Sequence, residues 1–367
     1  MSFSDADRAF MRRALAAAER GRGRTSPNPI VGAVIVSRDG IVAGQGAHLA
    51  AGGPHAEVEA LAEAGALAEG GTLYCTLEPC SHHGRTPPCA PQVADAGITR
   101  VVIAMRDPNP RVDGAGIALL RERGIAVEIG LLADEARRAN APFVTWITTG
   151  RPHVTLKLAQ SSDGFVGRAT PETDAAAVKL TGPAMDRRMH RQRAEVDAIA
   201  IGSGTLLADD PRLTPRGAFR ERALTRIVFD WRLRCALERK LYRTPDAGPV
   251  LLITSEDAAH ASPAAMRDLV KRGVEAVVLP ARDLGAALTA LGARGIASLL
   301  VEGGPALQQA FADQDLVDRV QTIVVPAVLG GGIPAPRLGA LERRSINAAV
   351  IQAGRDILRE ADVHRAD

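Results

Sequence analysis

Two polar stretches hold one His, one Glu and two Cys at a spacing suited to a zinc site: Pro54-His55-Ala56-Glu57-Val58-Glu59-Ala60-Leu61 and Thr76-Leu77-Glu78-Pro79-Cys80-Ser81-His82-His83-Gly84-Arg85-Thr86-Pro87-Pro88-Cys89. His55 and Glu57 fall at the predicted start of a helix, and Cys80 and Cys89 in the loop after the next predicted strand. Catalytic zinc takes three protein ligands and keeps a fourth position for water. His55, Cys80 and Cys89 supply three, and Glu57 is then free to handle protons. Zinc lowers the pKa of a bound water from about 15.7 to about 7. A Cys directly after Pro79, at a helix start, also favours its thiolate.

A lone His-x-Glu or a lone Pro-Cys would mean little. The combination matches the signature of zinc nucleobase deaminases, His-x-Glu followed by Pro-Cys-x-x-Cys. It departs in one respect, since eight residues rather than two separate Cys80 from Cys89. That insert, Ser81 to Pro88, is polar and basic, and suits a phosphorylated substrate. Cys75 lies in an apolar strand and reads as core, and Cys235 as structural.

Composition narrows the partners. With 45 basic and 42 acidic residues in 367, the chain has no polyanion-binding imbalance. Aromatics at 3% offer few platforms for stacking bases, which argues against nucleic acid. No apolar run approaches the roughly 20 residues of a membrane span. Met1 to Arg13 is charged rather than signal-like, and four cysteines form no disulfide framework. The expectation is a cytoplasmic enzyme that uses no membrane.

Along the chain, helix and strand periods alternate. A helix is expected over 4–20, capped by Ser4, with Asp5 and Asp7 at its positive end. A hairpin follows over 31–36 and 41–47, then a helix over 55–69. Strands are expected at 72–77, 100–105 and 125–129, with helices at 90–96, 116–123 and 134–146. This is an α/β layer with a largely parallel continuation. Thr148 to Pro152 reads as a linker, giving domains 1–148 and 149–367. The second half repeats the alternation, with strands at 153–158, 198–201, 226–229, 250–254, 276–279, 298–301 and 320–325. Helices are expected near 183–193, 263–272, 284–291 and 305–312. Glu302-Gly303-Gly304-Pro305, between a strand and a helix, would let backbone N–H groups approach a phosphate. Arg193 and Arg216 could clamp a substrate phosphate.

At this point the chain resembles the bifunctional riboflavin-biosynthesis deaminase/reductase family. The resemblance rests on Pro27-Asn28-Pro29, Val31-Gly32, the His55 to Leu61 stretch, the Thr76 to Cys89 stretch and Asp107-Pro108-Asn109-Pro110. In the second half it rests on Lys157 to Gly164, Arg193 to Ile199, Gly202-Ser203-Gly204-Thr205, Asp209 to Arg216 and Val301 to Pro305. It implies a cytidine-deaminase-like αβα domain followed by a dihydrofolate-reductase-like α/β domain. The first would remove an exocyclic amine from a phosphoribosylated diaminopyrimidinone with Zn2+ on His55, Cys80 and Cys89, and Glu57 shuttling protons. Asn28, His48, His82 and Arg85 would contact that substrate. The second would use NADPH to reduce the ribosyl carbon to ribityl. There the resemblance implies Thr205, Asp209, Gln160, Gly303 and Gly304 at the cofactor, and Leu213, Glu302 and Lys157 at the substrate. A homo-oligomer built mainly through the second domain is implied as well.

Family members usually carry Ser-x-Trp-Ile-Thr-Gly where this chain has Ala177-Val178-Lys179-Leu180-Thr181-Gly182, and an Arg where it has Asp186. Lys179 could offer its charge to a cofactor phosphate. An alternative reading is therefore a deaminase with an impaired or altered reductase half. Two others are a deaminase acting on nucleic acid and a structural zinc module in which His82 or His83 completes four ligands.

Overall fold

The computed structural model describes residues 3–82, 86–110, 112–168, 179–234 and 237–363. The chain divides into two compact units, Met1–Gly150 and Arg151–Asp367.

The first unit runs α1 (Asp5–Ala18), β1 (Gly32–Val36), β2 (Val42–Ala47), α2 (Ala56–Ala64), β3 (Thr72–Leu77), α3 (Cys89–Asp95), β4 (Arg100–Met105), α4 (Ala115–Glu122), β5 (Ala126–Ile129), α5 (Ala133–Ala139) and α6 (Ala141–Thr149). Its sheet has the order β2-β1-β3-β4-β5. The β1–β2 and β1–β3 pairs are antiparallel, while β3–β4 and β4–β5 are parallel. Buried Val34, Ile35, Leu73, Val101, Val102 and Ile103 form the centre of its core. Burying each such side chain contributes roughly 1.5–3 kcal/mol.

Ser4 caps α1 as expected, its side chain accepting from the Asp7 N–H. Asp7 sits at the helix start as expected and completes a capping box with Ser4, and its other carboxylate oxygen turns inward. Tyr74 Oη and Arg100 Nη1 donate to it at 2.7 and 2.6 Å. Burial alone would raise its carboxyl, but these donors hold it well below the usual carboxylate range. The helix expected over 134–146 is two helices that meet at Asn140. The buried Asn140 side chain accepts from the Ile30 N–H at 2.8 Å and donates to the Ile30 carbonyl at 2.9 Å. It thereby fixes the segment that carries Asn28. The expected linker is shorter than the sequence suggests: α6 continues to Thr149, and Gly150 ends it with φ +72°.

The second unit contains β6 (His153–Ser161), β7 (Phe165–Gly167), α7 (Pro183–Glu195), β8 (Ala198–Gly202), α8 (Ser203–Asp209), β9 (Thr225–Phe229), β10 (Val250–Ser255), α9 (Glu256–Ala261), α10 (Pro263–Lys271) and β11 (Val274–Leu279). It continues with α11 (Leu284–Gly292), β12 (Ser298–Val301), α12 (Pro305–Asp313), β13 (Arg319–Val325), β14 (Ile333–Pro334), α13 (Gly339–Arg343), β15 (Ser345–Ala353) and β16 (Asp356–Val363). The main sheet runs β11-β10-β9-β8-β12-β6-β13-β16-β15. It is parallel from β11 to β13, and β16 and β15 add an antiparallel hairpin at the edge. The short β7–β14 pair and the terminal hairpin have no counterpart in the elements expected from sequence. Both flank a parallel sheet whose strands, buried on both faces, read as continuous apolar runs.

Candidate functional site

In the first unit the end of β3, the start of α2 and the start of α3 converge. His55 is the residue before α2, and Cys89 is the first residue of α3. His55 Nδ1 lies 3.0 Å from Cys89 Sγ and 3.5 Å from Cys80 Sγ, and the two sulfurs are 3.6 Å apart. Tetrahedral ligands at ordinary Zn–S and Zn–N distances would sit about 3.5–3.8 Å from one another. The three donors therefore match zinc in chemical type and nearly in spacing, and they form the metal-ligand cluster found among the described residues. Thr86 Oγ1 lies 3.0 Å from His55 Nε2, so the second ring nitrogen has a partner that fixes the ring and leaves Nδ1 for the metal. The sequence reading gave Thr86 no role.

Electrostatics supports the roles of Cys80 and Glu57. A hydrogen bond from Cys89, with help from His55, lowers the Cys80 thiol to about 4. Cys89, sharing its proton with Cys80, is pushed up. Glu57, in the first turn of α2, is only 3% exposed. Burial lifts its carboxyl to about 7, which suits a group that takes and returns a proton near neutrality.

The expected substrate contacts cluster unevenly. Asn28 Nδ2 and His48 Nε2 lie 3.4 Å apart, and His48 Nδ1 is 2.9 Å from the Pro54 carbonyl. The His48 and His55 rings meet edge to face at 5.4 Å. Asn28 and His48 therefore form one wall beside the metal donors. His82 is exposed two residues beyond Cys80, near Asp107, whose carboxyl burial raises to about 6. Arg85, His83 and Ala177 lie outside the described residues.

In the second unit a cavity of about 1270 Å³ opens over the ends of β8, β9 and β12. Lys157, Lys179, Arg193, Thr205, Asp209, Leu213, Glu302 and Gly304 are on its wall. Gln160, Arg216 and Gly303 are not: Gln160 is in β6, Arg216 is exposed, and Gly303 packs against Ile201. Trp231 and Arg234, which the sequence reading passed over, are on the wall as well. Glu302 sits at its floor, where Arg193 Nε and Nη2 reach its two oxygens at 2.7 and 2.6 Å and Lys157 Nζ approaches to 3.6 Å. Burial would raise Glu302, but these two cations bring it down to about 2. Gly304, directly before α12, has φ +32°, and a Cβ there would meet Thr205 Oγ1 at 3.0 Å. A bare backbone at a helix start beside a hydroxyl suits a cofactor phosphate. Lys179 is paired with Asp186, so the two departures from the family pattern neutralise one another.

A family model for the cytidine and deoxycytidylate deaminase zinc-binding region matches residues 4–105, and one for the RibD C-terminal domain matches residues 152–357. The riboflavin biosynthesis protein RibD of Aquifex aeolicus is 39% identical over 333 residues, covering 91% of this chain and 90% of the relative. RibD of Escherichia coli is 39% identical over 340 residues, 88% of this chain and 89% of the relative. Among solved structures, Acinetobacter baumannii RibD superposes with TM-score 0.85 at 35% identity, over 98% of this chain and 99% of that one. The Thermotoga maritima diaminohydroxyphosphoribosylaminopyrimidine deaminase/5-amino-6-(5-phosphoribosylamino)uracil reductase gives 0.83 at 32%, with the same coverage.

Proposed function

The chain belongs to the RibD family, and from that membership we infer a bifunctional riboflavin-biosynthesis enzyme that combines a zinc-dependent deaminase with an NADPH-dependent reductase. Its substrate in the first unit is the phosphoribosylated diaminopyrimidinone, and in the second the deaminated product. The observation that carries the deaminase reading is the convergence of His55 Nδ1, Cys80 Sγ and Cys89 Sγ with the buried Glu57 carboxyl in the adjacent turn.

When bound, zinc supplies Lewis-acid activation of water. Glu57 accepts a proton from the attacking water and returns it to the exocyclic amine, which leaves as ammonia. Asn28 and His48 orient the pyrimidine ring, and His82 and Arg85 hold the phosphoribosyl end.

In the second unit NADPH supplies hydride to the ribosyl carbon. Thr205, Asp209 and Gly304 would hold the cofactor from the cavity wall, while Gln160 and Gly303, expected beside them, lie off it. Lys157, Leu213 and the Arg193–Glu302 pair would hold the substrate, with Arg216 off the wall as well. The extent of the reductase match, residues 152–357, favours an active second unit over an impaired one.

The enzyme acts on small molecules, not nucleic acid, and works in the cytoplasm, where the thiols of Cys80 and Cys89 stay available for metal. It assembles as a homo-oligomer through the second unit, whose edge strand β15 carries no charged residue to guard it. A division after Gly150, two residues beyond the expected limit at 148, fits this division of labour.

The test is chelation of the purified protein. Zinc removal should abolish ammonia release and leave NADPH oxidation with the deaminated substrate intact. Ammonia release that persists without metal would overturn the deaminase assignment.

A further inference from the structure

The carboxyl group of Glu78 belongs to no step above, yet it is only 3% exposed and lies two residues before Cys80. Its Oε2 accepts from the N–H groups of Asp107 and Gly114 at 3.3 and 3.1 Å, and its Oε1 from those of Gly116 and Ile117 at 3.0 and 3.2 Å. Four backbone donors from two separate segments thus end on one side chain. Gly116 and Ile117 belong to the first turn of α4, whose N–H groups have no partner within the helix. Asp107 follows the end of β4, on the far side of the site from Asn28 and His48.

The fit is close enough to exclude a side chain at the contact. A Cβ on Gly116 would lie 1.8 Å from the Pro79 carbonyl oxygen. So α4 is seated directly against the Glu78-Pro79-Cys80 backbone. The Glu78 N–H donates to the Met105 carbonyl at 3.1 Å, and the Cys80 carbonyl accepts from the Ala90 N–H at 3.0 Å. The backbone around Cys80 is therefore tied to β4, to α4 and to the start of α3.

We propose that Glu78 is a positioning residue of the deaminase: its buried carboxyl locks the Cys80 segment to the 107–117 loop and helix start, and so sets the Cys80 sulfur and the Asp107 turn beside it. It touches neither substrate nor metal, and acts through Cys80 and Asp107. The proposal rests on the assignment of Cys80 as a metal ligand.

The full-length chain tests it, with its reductase as the internal control. Glu78→Gln keeps the size but turns one acceptor oxygen into an NH2 facing backbone donors. Outer-shell partners of metal ligands typically matter by about 10–100-fold. Glu78→Gln should therefore lower deaminase kcat/KM at least about tenfold and speed zinc transfer to a competing chelator by a similar factor. Amide exchange at Gly114, Gly116 and Ile117 should quicken, while NADPH-dependent reduction is unchanged. Glu78→Asp, which keeps the charge but loses reach, should show the same pattern more weakly, and it serves if the Gln variant does not fold. Wild-type zinc retention and deamination with both variants overturns the proposal. So does loss of deamination and reduction together in both variants. Failure of the wild-type chain to bind zinc would instead overturn the ligand assignment beneath it.

Discussion

Arg193 grips Glu302 with both arms of its guanidinium, at 2.7 and 2.6 Å, on the floor of the second unit's cavity. An arginine expected to clamp substrate phosphate is thus already committed to a carboxylate, which Lys157 also approaches at 3.6 Å. A buried pair of this kind sets geometry, since planar fork meets planar carboxylate in one orientation. Arg193→Met should leave Glu302 buried against Lys157 alone, at a cost of about 3–5 kcal/mol. The chain has two tryptophans, Trp146 and Trp231, in separate units. Urea unfolding followed by Trp231 fluorescence in a Trp146→Phe background reads the second unit by itself. A midpoint equal to the parent's would show that the pair contributes nothing.

The same carboxylate makes the second unit sensitive to acid. Folding lowers Glu302 from 4.5 to about 2. A depressed acid adds stability that is fully present above about 4.5 and disappears as pH falls through about 2. The shift corresponds to about 3 kcal/mol. Trp231-monitored unfolding between pH 6 and about pH 2 should show that loss, and Glu302→Gln should flatten the curve. An equally steep curve in the Gln variant would assign the sensitivity to other groups.

Glu57→Gln preserves the volume of the buried side chain but cannot cycle a proton. Ammonia release should fall by about 10²–10⁴, the usual worth of general acid–base help. Zinc content and NADPH-dependent reduction should match the parent. A variant that still releases ammonia at the parental rate removes Glu57 from the mechanism, whereas one that loses zinc makes its role structural.

What could be read from the chain alone follows the range of the interactions. The strands of the two larger sheets, up to Val325, announced themselves through local apolar runs. The zinc donors were legible because His-x-Glu and the two cysteines are unusual types in fixed positions. Asn140 was not legible: its reason for interrupting a helix is Ile30, 110 residues away. Asp7 was legible as a helix-end acid, but its second role was not, because Tyr74 and Arg100 are 67 and 93 residues distant. Arg193 and Glu302 were each singled out, but no spacing reveals that they face each other across 109 residues. The terminal hairpin escaped for another reason. Most of β15 from Ile346 to Val350 is exposed, with Val350 71% open, so Ser345–Ala353 lacks the polar–apolar alternation of a half-buried strand.

Lys179 and Asp186, where the resemblance leads one to expect a tryptophan and an arginine, pair with one another at the rim of the second unit's cavity. Thr181 Oγ1 also donates to Asp186 at 2.6 Å, so the acid is held from two sides. The Lys179 side chain is 71% exposed, where ion pairs contribute about 0–1 kcal/mol. The pair is weak, but Asp186 offsets the lysine's charge at the rim, so the net charge offered to a cofactor phosphate is small. Lys179→Ala should change the NADPH dissociation constant by less than about threefold, and Asp186→Ala, which frees the ammonium, should tighten NADPH binding more than NADH binding. Fluorescence titration of Trp231, which lines the same cavity, reads both constants directly. A tenfold loss of NADPH affinity in Lys179→Ala would show that the lysine leaves Asp186 to bind the cofactor.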